Sequence, residues 1–179
     1  MSLTIDRDAS TLLIIDFQAR LMPAIEGGAE AVANARRLLE AAEMLAVPIV
    51  FTEENAGGLG STVPELAPYA EGRLAHKMSF DACREAGFGE RFGGRPQIVI
   101  AGCETHVCVL QTALGLLAAG RRVSMVRDAV GSRRAESKEA ALRRLERHGA
   151  EIVTTEMVAF EWLGSAKHPR FRDIVRLIK

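Results

Sequence analysis

Unbroken apolar runs constrain this chain more than any other feature. Thr11-Leu12-Leu13-Ile14-Ile15 runs without a polar break into Asp16, and Val47-Pro48-Ile49-Val50-Phe51-Thr52 and Gln97 to Ala101 are of the same kind. A strand that is apolar on both sides needs cover on both faces, which is the mark of a parallel sheet between layers of helices. The segments between the runs carry helical spacing. Over Glu30 to Ala46, Val32, Ala35, Leu38, Leu39, Ala42 and Leu45 share one face, while Arg36, Arg37, Glu40 and Glu43 lie elsewhere. The same reading predicts strands at Leu74 to Met78, Arg122 to Arg127 and Glu151 to Thr154. It predicts helices at Phe80 to Phe92, His106 to Ala119, Ala135 to His148, Thr155 to Leu163 and Pro169 to Ile178. Glu53 to Gly72 is rich in Gly, Pro and Ser, and Asn55 to Gly60 reads as a mobile loop beside a site.

Composition narrows the class of partner. The chain has 179 residues, of which 48% are apolar, enough for one domain with a full core over residues 1–179. Lys plus Arg and Asp plus Glu both number 23, so there is no electrostatic pull toward nucleic acid or an anionic membrane. The longest apolar stretch, Val107 to Gly120, is too short to span a bilayer. The N-terminus lacks a basic segment followed by an apolar core, so no secretory signal is expected. Cysteines at 83, 103 and 108 are odd in number and lack metal spacing, which fits a reducing, cytoplasmic setting.

Three polar residues stand where such a sheet binds its ligands, beyond the carboxyl ends of the strands. Asp16 follows the first strand, Lys77 lies near the end of a short central one, and Cys108 follows the turn after Gln97–Ala101. They converge if the first and fourth strands are neighbours. Cys108 falls in the first turn of an apolar helix, where unpaired N–H groups favour the thiolate. A small buried thiol without chemistry is the other reading of that position, and placement leaves both open. His106, two positions away, points about 200° from Cys108 on a helix and should not pair with it.

Leu13-Ile14-Ile15-Asp16-Phe17-Gln18, then Lys77-Met78-Ser79-Phe80, then Gly102-Cys103-Glu104-Thr105-His106-Val107-Cys108-Val109 resemble the isochorismatase-like cysteine hydrolase superfamily. Val47 to Glu53, Gly58-Leu59-Gly60, Thr62 to Leu66, Asp128-Ala129 with Ser132-Arg133, and Lys167-His168-Pro169 are similar to its isochorismatase domain-containing branch. The resemblance implies a three-layer α/β/α fold around a six-stranded parallel sheet. It also implies a triad of Asp16, Lys77 and Cys108: a base, a cation that lowers the thiol pKa, and a nucleophile. It implies an oxyanion hole from the backbone N–H groups of Glu104 and Cys108, and a cis peptide at Cys103–Glu104. Gln18, two positions beyond Asp16, either orients a ligand or faces solvent, and it and Thr105 are the candidate substrate-binding residues. A homodimer or higher homo-oligomer is implied as well, and the nearly all-apolar helix from Val107 to Ala119 asks for burial on every side.

No metal or cofactor is expected. Nicotinamidases of this superfamily use histidines after the second strand, and Thr52-Glu53-Glu54-Asn55-Ala56-Gly57 has none. The histidines at 76, 106, 148 and 168 lack ligand spacing, and there is no Gly-rich phosphate loop. The resulting expectation is a cysteine hydrolase acting on a small molecule at an amide or related C–N bond. The alternatives are vinyl-ether hydrolysis of the isochorismate type, without a covalent intermediate, and a non-catalytic binding module on the same fold.

Overall fold

The structure is a computed structural model that describes residues 3–179. Strand β1 (Ser10–Ile15) is followed by helix α1 (Gly28–Met44), β2 (Ile49–Glu54), two short helical turns α2 (Ala56–Leu59) and α3 (Ala67–Ala70), and β3 (Leu74–Lys77). Then come β4 (Gln97–Cys103), α4 (Leu110–Ala118), β5 (Arg122–Gly131), α5 (Ala135–Arg147), β6 (Glu151–Val153), α6 (Thr155–Leu163) and α7 (Phe171–Ile178). The six strands form one sheet in the order β3-β2-β1-β4-β5-β6. Every pairing is parallel.

The apolar runs explain this layering. Leu12 and Ile14 of β1 face one core with α1 and α6, while Leu13 and Ile15 face the other with α4 and α5. All four are fully buried. Side chains on a strand alternate between faces, so a central strand serving two cores has no position left for a polar residue. Each large side chain so buried contributes about 1.5–3 kcal/mol. Helix α1 buries Ala35, Leu38, Leu39 and Ala42, the face that its spacing picked out. Among the described residues no helix is long and apolar enough to cross a membrane.

Four expectations need correction. Phe80 to Phe92 is not one helix but two 3-10 turns, Ala82–Arg84 and Phe88–Phe92. Gly87, at φ +74°, breaks the path, and Asp81 caps the first turn by accepting the Cys83 N–H. Phe88 and Phe92 then bury edge to face, 5.3 Å apart at 88°. The helix expected from His106 begins with a π-helical turn, Thr105–Val109, before α4. Strand β5 continues past Arg127 to Gly131, carried across a shift of register between Ile100 and Gly102. The loop at Asn55 is tied down: the Arg20 guanidinium donates to the Gly57 and Gly58 carbonyls.

Gly102 of β4 pairs with Ile15 at the end of β1. Its φ is +156°, and a Cβ there would lie 2.5 Å from the Ile15 carbonyl oxygen. Backbone cannot yield as a flexible side chain can. Gly102→Ala is expected to cost about 1–3 kcal/mol, the usual scale of overpacking. Urea denaturation would read it as a lower midpoint, and an unchanged midpoint would show that the β1–β4 seam has slack.

Candidate active site

The sheet reverses direction of winding between β1 and β4, and the site sits at that break. Asp16 leaves the end of β1 with φ 52°, in the left-handed region where Asp is among the better-tolerated residues. Its N–H donates to the Thr52 carbonyl at 3.1 Å, and its own carbonyl accepts from the Gln18 N–H at 2.9 Å. The carboxylate is held from both sides. Thr52 Oγ1 donates to Oδ1 at 2.6 Å and Lys77 Nζ donates to Oδ2 at 2.7 Å. Lys77 is the last residue of β3, brought there by parallel pairing with Glu54 of β2. Both charged side chains are only 1% exposed.

Cys108 arrives from the other half of the sheet, on the π-helical turn after β4, and its thiol interacts with both Asp16 and Lys77. Asp16, Lys77 and Cys108 are thus brought together. The expected lowering of the Cys108 pKa is overturned. Burial first, and the Asp16 carboxylate second, push the thiol up to about 12; Lys77 pulls it down but is outweighed. The helix-start argument omitted desolvation, which disfavours the anion wherever water is excluded. Cys83 and Cys103 are pushed up to about 12 as well, both chiefly by burial.

The Cys103–Glu104 peptide is cis. Among the described residues the Glu104 N–H meets no acceptor. The Glu104 side chain turns aside, accepting from the Arg133 N–H at 3.1 Å and from its Nε at 3.0 Å.

Two candidate substrate contacts are placed elsewhere. Gln18 is fully buried, and its carboxamide donates to the Glu54 and Gly60 carbonyls at 2.9 and 2.7 Å and accepts from the Glu54 N–H. It clamps the end of β2 to the following loop. Thr105 is also fully buried, and its hydroxyl donates to the Gly131 carbonyl at 2.9 Å. Neither hydroxyl nor amide N–H is left for a ligand. His106 bonds to Ser132 Oγ through Nδ1 at 3.0 Å, away from Cys108.

A cavity of about 350 Å³ opens over Asp16 and Cys108. Leu21, Leu59, Phe80 and Val107 give it apolar walls; Glu54 and Arg133 add charge. Lys77 does not line it but lies behind Asp16. Glu54 was not singled out from the sequence, although its place at the end of β2 satisfies the strand-end rule. Its carboxyl is pushed up from the usual range, mainly by burial. Arg133 lies on the loop after β5, and no spacing pointed to it. Among the described residues no three His, Cys, Asp or Glu side chains gather as a metal cluster would require.

Comparison with known proteins agrees with this architecture. The Isochorismatase domain model matches residues 10–157. The isochorismatase domain-containing protein 2 of Danio rerio is 39% identical over 172 residues, covering 94% of this chain and 86% of that one. The isochorismatase domain-containing protein 1 of Salmo salar is 36% identical over 92% of this chain, which spans only 59% of that longer relative. The structure of the MAR1 ribonuclease from Caenorhabditis elegans superposes with a TM-score of 0.93 at 33% identity, covering 98% of this chain and 92% of that one. On the domain match and on these relatives alike, the chain belongs to the isochorismatase family.

Proposed function

We propose that this protein is a cysteine hydrolase that cleaves an amide or related C–N bond of a small molecule through a covalent adduct on Cys108. The observation that carries the reading is one buried carboxylate, Asp16, fixed by Lys77 and Thr52 and set beside a thiol at the base of a cavity. Because the thiol rests protonated, attack and proton transfer go together. The Cys108 sulfur bonds to the carbonyl carbon as Asp16 accepts the thiol proton. The carbonyl oxygen becomes an oxyanion, for which the Glu104 and Cys108 N–H groups supply donors. Collapse breaks the C–N bond, and Asp16 returns its proton to the leaving amine. Asp16 then takes a proton from water, which attacks the thioester and releases the acid and the thiol. Lys77 fixes the Asp16 carboxylate through its hydrogen bond to Oδ2, and needs no contact with substrate to do so.

A relative in this family carries the name ribonuclease. Zero net charge and a cavity sized for one small molecule favour a small substrate over a polynucleotide. Self-association and a cytoplasmic setting belong to the same proposal. Met78 and Phe80 stand 70% and 50% exposed beside the site, and Leu114 and Leu117 of α4 are only partly covered within one chain. A second copy of the chain would complete that burial.

The test is to incubate the protein with a panel of small primary amides and weigh it intact. An acyl adduct that maps to Cys108 and disappears in Cys108→Ala is expected. Turnover that persists in Cys108→Ala without any adduct would overturn the covalent reading in favour of the vinyl-ether type of hydrolysis. Neither adduct nor turnover across the panel would overturn the amide assignment.

A further inference from the structure

Beside the reactive cavity lies a second, more polar cleft of about 440 Å³, lined by His106, Arg133, Arg134 and Ser137. Arg133 borders both spaces. We infer that this cleft is an anion subsite, which holds a carboxylate or phosphate group of the substrate while its other end reacts at Cys108. The inference rests on the reading of Cys108 as the reacting thiol and adds the chemical class of the substrate.

Several donors around the cleft are unused by the protein. Arg133 commits only Nε and its backbone N–H to Glu104, both to the same oxygen, Oε1. Its two terminal nitrogens have no protein partner among the described residues. Arg134 has only a distant ion pair, 3.7 Å to Glu136, with both side chains 78% exposed. Such a pair is weak and readily exchanged. His106 uses Nδ1 on Ser132, and among the described residues neither its Nε2 nor the Ser137 hydroxyl has a hydrogen-bond partner. The cleft therefore gathers two guanidinium groups, a ring nitrogen and a hydroxyl around one space. Of the carboxylates beside it, Glu104 is already held by Arg133, and Glu136 comes no nearer to Arg134 than 3.7 Å. Guanidinium forks match the planar, doubly accepting edge of a carboxylate or phosphate. Each arginine already has one carboxylate partner, Glu104 for Arg133 and Glu136 for Arg134, so a bound anion would use the guanidinium nitrogens that those pairs leave over.

Cys108→Ala protein, which on the covalent reading cannot turn a substrate over, is the material for the test. It is titrated at low ionic strength with inorganic phosphate, with succinate and with neutral butyramide, and backbone amide shifts are followed by NMR. Saturable shifts centred on His106, Arg134 and Ser137 are expected for at least one anion and not for butyramide. Whether phosphate or succinate binds more tightly tells which group the substrate carries. Arg134→Gln in the same background is expected to weaken that binding about tenfold or more, with Arg134→Lys recovering part of it. The amide spectrum shows that each variant is folded. No saturable shift with either anion, or equal affinity in Arg134→Gln, overturns the subsite. Anion binding without any adduct at Cys108 in the active protein would support the subsite and sink the covalent reading instead, so the two failures are distinct.

Discussion

Asp16→Asn is expected to move the two activities of Cys108 in opposite directions. Turnover should fall by about 10²–10⁴-fold, the scale of lost acid–base assistance. Passive alkylation of the same thiol should rise. The sign follows from the charges. Asp16 is one of the influences that hold the thiol pKa near 12, and Lys77 opposes it. An amide in place of the carboxylate removes the raising charge and leaves the lowering one. More thiolate is then present at any pH below the new pKa. The measurement is peptide-resolved iodoacetamide labelling across pH. In the parent protein all three thiols should label slowly near neutrality, because burial holds each of them up. In Asp16→Asn, Cys108 alone should pull ahead. A labelling rate no faster than the parent's would show that Asp16 does not govern the thiol. Unchanged turnover would exclude it as the base.

Lys77→Met should be the most damaging single change to stability near the site. The ammonium and the Asp16 carboxylate are 2.7 Å apart, and both are withdrawn from water. Removing one partner strands the other as a buried, uncompensated charge, which typically costs about 3–5 kcal/mol. The contrast with a surface pair is direct: Arg134–Glu136 would cost under about 1 kcal/mol to break. The double variant Asp16→Asn with Lys77→Met removes both charges and should regain most of the lost stability, while remaining inactive. Urea denaturation of the two single variants and the double variant makes a complete cycle. A loss below about 1 kcal/mol in Lys77→Met would mean that the pair is hydrated in solution.

The sheet and its reversal were legible because β1 has no room for ambiguity. Leu12 to Ile15 must be buried on both faces, and that demands helices on both sides. Asp16, Lys77 and Cys108 were legible for the same reason, since strand ends in such a sheet converge. Phe80 to Phe92 misled because two buried phenylalanines four apart imitate helical spacing, whereas Gly87 forbids the path. Gln18 and Thr105 sit within the motif and look like ligand contacts. In the fold their polar atoms are spent on Glu54, Gly60 and Gly131. The direction of the Cys108 pKa depends on how much water reaches the sulfur, a property of packing that no local pattern encodes. Arg133 gained its place through an extension of β5 that its sequence did not announce.

The seam between β1 and β4 has a consequence for how this site comes into being. Asp16 and Lys77, the proposed base and its cation, belong to the half of the chain that precedes the exposed Gly93 and Gly94. The thiol, the backbone donors and the arginine-lined cleft belong to the half that follows. Neither half encloses a reaction centre alone. The domain is in this sense two unequal fragments joined by a covalent tether. The proposed site is complete only when strands far apart in the chain lie side by side.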